Sequence, residues 1–162
     1  GETELLAATV LEVQRTRPVI SEVGRMVVAD HMQLGPWVIP QGHQVLVVLD
    51  QVQLDENVFP NPMSFDPDRF VGVKPGMYSW IPFGGGTRRC IGAAFADMEM
   101  NVVLRTLLQQ YELSPTTAPD EKWRSRGVAW TPSRGGRAVW HRRSVPTVVP
   151  APQAEALQGP AR

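Results

Sequence analysis

The chain has 162 residues, 43% of them hydrophobic, and its 16 basic and 16 acidic side chains sum to a formal net charge of zero. That length suits one domain able to bury roughly two thirds of its unfolded surface, and the balanced charge gives no global field to recruit nucleic acid or an acidic membrane. No apolar run approaches the ~20 residues of a membrane-spanning helix, and the single cysteine, Cys90, excludes an internal disulfide, leaving a reducing compartment or a ligand role.

The N-terminus, Gly1-Glu2-Thr3-Glu4, has no basic region ahead of an apolar one and so does not read as a signal peptide. It also lacks an initiating methionine, which suggests a piece of something longer or a processed product. Leu5, Leu6, Thr9, Val10 and Val13 recur near helical spacing, predicting a helix that opens at Thr3 or Glu4 and runs to about Thr16 before Pro18 ends it. Glu12 and Arg15 lie three apart on that helix and share a face. Taken alone they read as a solvated surface pair, contributing only ~0.2–0.5 kcal/mol.

Residues 24–49 read as short strands: Arg25-Met26-Val27-Val28-Ala29, then Trp37-Val38-Ile39, then a tight turn at Pro40-Gln41-Gly42 into Val45-Leu46-Val47-Val48-Leu49. An antiparallel unit is expected there. From Asp50 to Pro82 the periodicity fails and prolines recur at 60, 62, 67 and 75, predicting a long irregular stretch or loop. After Cys90 a helix of about twenty residues is expected: Phe95, Met98, Val102, Val103, Leu107 and Tyr111 form an apolar stripe that should pack into a core, with Met98 and Met100 as fillers. Arg126 to Trp130 and Arg137 to Trp140 flank Thr131-Pro132-Ser133-Arg134-Gly135-Gly136, predicting a hairpin. The tail from Ser144, with prolines at 146, 150, 152 and 160, is expected to be disordered.

The chemistry concentrates at Cys90, within Phe83-Gly84-Gly85-Gly86-Thr87-Arg88-Arg89-Cys90-Ile91-Gly92. A thiolate is stabilised by nearby guanidinium groups and by a helix N-terminus, and both adjoin this sulfur. Three glycines let the backbone approach a flat, bulky ligand. That setting suits a metal-bound thiolate. The alternatives are a buried inert cysteine, a cysteine nucleophile and a zinc site. The nucleophile needs a base, and His31, His43 and His141 have no partner motif; zinc needs ligand spacing that one cysteine and three scattered histidines lack.

The pattern Phe-x-x-Gly-x-Arg-x-Cys-x-Gly, met by Phe83, Gly86, Arg88, Cys90 and Gly92, resembles the heme-binding loop of the cytochrome P-450 family. Glu12-Val13-Gln14-Arg15 resembles that family's Glu-x-x-Arg helix and Pro67-Asp68-Arg69-Phe70 its Pro-x-Arg-Phe meander, in the family's order. The resemblance runs from about Leu5 to Arg143 and covers only the C-terminal, proximal part of the enzyme, of bacterial type. It implies an α+β portion of a mainly α fold, built from the Glu-x-x-Arg helix, a small antiparallel sheet, the meander, the cysteine loop, a long helix and a C-terminal hairpin. Residues 1–143 would form the heme-binding part and 144–162 the tail.

By the same resemblance, Cys90 would be the axial ligand of the iron of heme b (iron protoporphyrin IX), its electron donation favouring O–O cleavage. Arg88 would hold a heme propionate and Arg25 a second one. Phe83 would shield the sulfur, and Gly86 and Gly92 would leave room for the porphyrin and the following helix. Glu12, Arg15 and Arg69 would form a buried structural ion-pair network. Val19, Ile20, Ser21 and Val23, with Thr131 and Pro132, would line the substrate pocket. The implied activity is a monooxygenase acting on a small apolar organic substrate, with a ferredoxin or reductase as electron donor, docked near Arg88, Arg89 and Arg105, in the cytoplasm. A membrane anchor upstream of residue 1 stays open. The family's oxygen-activating pattern, Ala/Gly-Gly-x-Asp/Glu-Thr, does not occur in the sequence. The competing expectation is a truncated heme-binding or inert remnant.

Overall fold

A computed structural model describes residues 2–144. The tail expected from Ser144 onward lies, apart from that residue, outside the described residues.

The first helix, α1, spans Glu2–Thr16, with Glu2 and Glu4 in its first turn and Arg15 in its last, the charge order that complements the helix dipole. Its buried residues are Ala8, Val10, Glu12, Gln14 and Arg15, whereas Leu5 and Val13 are exposed. The inward face is therefore partly charged, and its partners come from distant segments.

Strands β1 (Glu22–Met26) and β4 (Gln44–Val48) pair antiparallel, with Arg25 opposite Val45. Between them β2 (His31–Leu34) and β3 (Trp37–Pro40) form a hairpin whose turn begins at Gly35, φ +57°. The strand expected over 25–29 thus lies three residues earlier, ends at Met26, and leaves Val27 to Ala29 outside the ladder. The Val27 carbonyl accepts from the Gly42 N–H and the Val27 N–H donates to the His43 carbonyl, both at 2.9 Å, while the His43 N–H on the Pro40 carbonyl at 3.3 Å closes the Pro40-Gln41-Gly42 turn. Leu49, expected as the end of a strand, starts helix α2 (Leu49–Gln53).

The expected loop from Asp50 to Pro82 is more ordered than its prolines suggest. It includes most of α2 and a 3-10 turn over Pro67–Phe70, capped by Asp66, whose side chain accepts from the Asp68 N–H at 3.2 Å. Phe59 and Phe70 meet edge to face at 6.2 Å and pack with Ala8 of α1, against which Leu11 and Trp80 are also placed. This small cluster is where the irregular segment docks on α1.

Helix α3 spans Ala93–Gln110, shorter than twenty residues because Tyr111 leaves helical geometry to begin β5 (Tyr111–Leu113). Its expected apolar stripe does not pack into a core. Phe95 is 61% exposed, Met98 56% and Val102 59%, and among the described residues no element covers them. Met98 is therefore no core filler; Met100 is half-buried beside α1.

The C-terminal hairpin also differs from expectation. Strand β6 (Trp123–Arg126) pairs with β7 (Ala129–Pro132) around Gly127, φ +73°, and β8 (Trp140–Arg142) pairs with β5. The turn-rich run 131–136 is instead held by Glu121, whose carboxylate accepts the N–H of Arg134 at 2.6 Å and of Arg137 at 3.0 Å. The Ser133 N–H then donates to the Lys122 carbonyl at 2.8 Å, extending the β6–β7 ladder rather than opening a new hairpin.

Candidate functional site

The segment before Cys90 folds through local backbone contacts. Gly84 and Gly86 have φ of +70° and +65°, a region that L side chains rarely adopt, so glycine is required for the path. The Gly84 N–H donates to the Ile81 carbonyl at 2.9 Å, a short 3-10 turn covers Gly86–Arg88, and the Arg89 N–H donates to the Gly86 carbonyl at 3.2 Å. The Cys90 N–H donates to the Phe83 carbonyl at 2.9 Å, closing the loop across its neck. α3 starts three residues later, with the Ala93 N–H on the Cys90 carbonyl at 3.3 Å.

The Cys90 thiol is free and exposed. Arg88 and Arg89 are exposed beside it, and the Arg89 guanidinium lies 5.8 Å from the centre of the half-buried Phe83 ring. A methyl group placed on Gly84 or Gly86 would meet nothing within 4 Å, so the glycine side of the loop opens to free space. At Gly92 a methyl would stand 3.7 Å from the Cys90 sulfur, an ordinary van der Waals contact. An accessible sulfur following two exposed arginines in sequence, with an open backbone face, fits a thiolate-ligated planar metal complex with anionic edges.

α1 also carries a buried charge network. Glu12 is 0% and Arg15 1% exposed. Arg15 grips the Glu12 carboxylate with two parallel bonds, Nε to Oε2 at 2.7 Å and Nη2 to Oε1 at 2.8 Å, and its Nη1 donates to the Gln53 carbonyl at 2.9 Å. Arg69, on the 3-10 turn, donates from Nε to Glu12 Oε1 at 3.2 Å, and the same oxygen accepts the Asp66 N–H at 2.9 Å. Arg69 also reaches the Pro60 and Ser64 carbonyls at 3.2 and 3.4 Å, and Arg15 lies 5.2 Å over the Phe59 ring. Burial alone raises the Glu12 pKa. Hydrogen bonds from Arg15 and the Asp66 backbone, with the charges of Arg15 and Arg69, outweigh it and hold the carboxyl below the ordinary carboxylate range.

The remaining candidates are more dispersed. Arg25 is exposed on β1, its Nη1 donating to the Gly24 carbonyl at 2.8 Å. Val19 is exposed and Ile20, Ser21 and Val23 half-buried. The Trp130 N–H donates to the Val19 carbonyl at 2.8 Å and its indole N–H to Ser21 Oγ at 3.3 Å, so the segment after α1 and the β6–β7 hairpin do come together. Between them opens a cleft of about 350 Å³ lined by Ser21, Pro18, Arg17, Asp50, Trp123 and Trp130, among others. Of the expected pocket residues only Ser21 lines it; Thr131 and Pro132 sit half-buried on β7 outside it. Neither tryptophan is expected in a cleft from the sequence: Trp130 enters that reading only as the end of the segment from Arg126, and Trp123, at the start of the polar strand β6, gives no signal.

Residues 2–136 match the cytochrome P450 family model, here written cytochrome P-450. The chain belongs to the cytochrome P-450 family. It is 54% identical over 143 residues to cytochrome P-450 138 of Mycobacterium tuberculosis, covering 88% of this chain and 32% of the relative. It is 42% identical over 134 residues to cytochrome P-450 135B1 of the same organism, covering 83% and 28%. Among solved structures, it resembles the cyanobacterial CYP120A1 bound to retinoic acid, with a TM-score of 0.74 and 26% identity over 86% of this chain and 32% of that one. A zebra fish cytochrome P-450 with progesterone gives 0.75 and 30%, over 86% and 32%. The chain thus spans about a third of the length of the curated relatives it matches. Its α+β make-up is that of part of a cytochrome P-450 fold, and no helix among the described residues is long and apolar enough to cross a membrane.

Proposed function

We propose that this chain is the heme-holding portion of a cytochrome P-450 monooxygenase, with Cys90 as the axial thiolate of heme b. The observation that carries this reading is the exposed Cys90 thiol, fixed by the Cys90 N–H to Phe83 carbonyl bond at the neck of an open glycine loop. Heme bound in this way supplies oxidation of an apolar organic substrate with reduction of molecular oxygen, helped by the electron-rich sulfur.

The chain's own residues then divide the work. Arg88 pairs with one propionate and Arg25 with a second; a guanidinium suits a carboxylate because it donates two parallel bonds. Phe83 screens the sulfur, while Gly86 and Gly92 keep side chains off the cofactor face. Glu12, Arg15 and Arg69 act structurally, fixing the segment 53–69 to α1. Val19, Ile20, Ser21 and Val23, with Thr131 and Pro132, contribute to the substrate pocket. A ferredoxin or reductase docks beside the loop, using the exposed Arg89 and Arg105, Arg88 being taken up by the propionate.

The test is a spectrum. The chain reconstituted with heme, reduced with dithionite and exposed to carbon monoxide should show the red-shifted Soret band of thiolate-ligated ferrous heme, and Cys90→Ala should lose it. A folded, heme-loaded chain without that band, or a Cys90→Ala variant that keeps it, overturns the assignment. A second reading, a heme-binding or inert remnant without monooxygenase activity, is favoured by the uncovered apolar face of α3. Substrate turnover by the isolated chain with a redox partner, expected to be nil, would reject the remnant if it were seen.

A further inference from the structure

Both ends of the cysteine segment are tied to a single turn of α1. Upstream, the Trp80 indole N–H donates to the Leu11 carbonyl at 3.2 Å. Downstream, Gln14 Nε2 donates to Asp97 Oδ1 on α3 at 3.3 Å and points at the Met100 sulfur at 3.7 Å. Leu11 and Gln14 are three residues apart, hence on one face of the helix. Glu12 and Arg15 interleave with them, so the helix that holds the charge network also grips the chain before and after Cys90.

The downstream tie is built at some cost. Gln14 is only 8% exposed, and its Oε1 is buried without a hydrogen-bond partner. An unpaired buried amide oxygen is destabilising, and a leucine of similar volume would avoid it. A polar side chain kept at such a place is explained by its donor: Nε2 is the group that reaches the second turn of α3, the helix that starts three residues after the sulfur. The tie matters locally because, among the described residues, the hydrogen bonds of the Cys90 loop are its own backbone bonds and the thiol itself is exposed.

We infer that Gln14 and Trp80 are positioning residues for Cys90, clamping the segment 80–97 at both ends onto α1 and so fixing the direction in which the sulfur points. The functional meaning of the clamp rests on reading Cys90 as the heme ligand; the clamp itself does not.

Amide hydrogen exchange of the full chain tests the clamp without cofactor. Gln14→Leu keeps the side-chain bulk and removes the donor; Trp80→Phe removes the donor and keeps an aromatic ring of smaller size against the Ala8, Phe59 and Phe70 cluster; Asp97→Ala removes the acceptor from a less buried site, and Asp97→Asn retains an acceptor. Exchange at the Cys90 and Ala96 amides should quicken about tenfold in the first three variants, with β1 and β4 amides unchanged and Asp97→Asn close to the parent. Rates within twofold of the parent at Cys90 in Gln14→Leu and Asp97→Ala overturn the downstream tie, and the same result in Trp80→Phe overturns the upstream one. Quickening spread equally over β1 and β4 overturns the local clamp in favour of general loosening.

A second readout joins the clamp to ligation. In the heme-loaded, reduced, carbon monoxide-bound chain, Gln14→Leu should lose the thiolate Soret band at least fivefold faster than the parent, and Asp97→Asn should not. An unchanged decay with quickened exchange removes the positioning role. A parent chain that never shows the band defeats the heme-ligand reading instead, leaving the exchange rates to decide the clamp.

Discussion

At the scale of single residues, the unequal treatment of two carboxylates is instructive. Glu12 is enclosed and accepts from two arginines and a backbone N–H, so its removal leaves Arg15 buried without its counter-charge. Breaking a buried pair of this kind costs about 3–5 kcal/mol, and Glu12→Gln should lower the denaturation midpoint accordingly. Because the folded pKa of Glu12 is depressed, its stabilisation is complete above the unfolded carboxylate pKa and is lost as pH falls through the lower, folded value. Thermal scans across the acid range should therefore show a flatter acid limb in Glu12→Gln than in the parent. Glu121 is depressed as well, chiefly by the Arg137 N–H, but it is only half-buried, and its effect is confined to the order of residues 134–137. Gly86 offers a different test. With φ +65° and free space around it, alanine there meets no neighbour but strains the backbone by ~1–2 kcal/mol. Gly86→Ala should thus lower the folding free energy by about that ~1–2 kcal/mol and, if the chain holds heme as proposed, release it more readily, as read by denaturation and by heme transfer to an acceptor protein.

Among elements, legibility followed the range of the contacts that define them. α1 and α3 were readable because their periodicity is local, and the Phe83 to Gly92 loop because its residue spacing is fixed. The inward face of α1 was not readable from apolar periodicity, since Arg15 and Glu12 are satisfied by groups at 53, 64, 66 and 69. Only the resemblance to a family, with its three ordered motifs, suggested a buried network there. The C-terminal hairpin was misplaced because Thr131 to Gly136 carries strong turn chemistry, yet Glu121 claims its backbone donors and Gly127 makes the turn. The stripe on α3 was read correctly as apolar and wrongly as core. That exposure makes a prediction: Met98→Lys and Val102→Lys should change folding stability by no more than ~0.5 kcal/mol, while reducing concentration-dependent association in sedimentation velocity.

For the whole molecule, the sheets among the described residues are all two-stranded, and two-stranded ribbons are marginal alone. Strand β1 is met by α2 and β5 by α3, and both helices pack on α1, whose contacts with the 3-10 turn at Pro67–Phe70 are the densest between a helix and any other element. The Glu12 network that joins them has a consequence in time. Arg15 is 38 residues from Gln53 and 49 from Ser64, and Glu12 is 57 from Arg69. Contacts across such separations lose loop-closure entropy before they return any stability, so they form after the local helix and hairpins. Interactions absent from the folding transition state act on the escape from the native state. Removing Arg69 should therefore leave the refolding arm of a chevron plot almost unmoved and steepen the loss of the native chain by raising its unfolding rate. In this light the network is a latch, setting how long the cysteine loop stays assembled more than how quickly it is made.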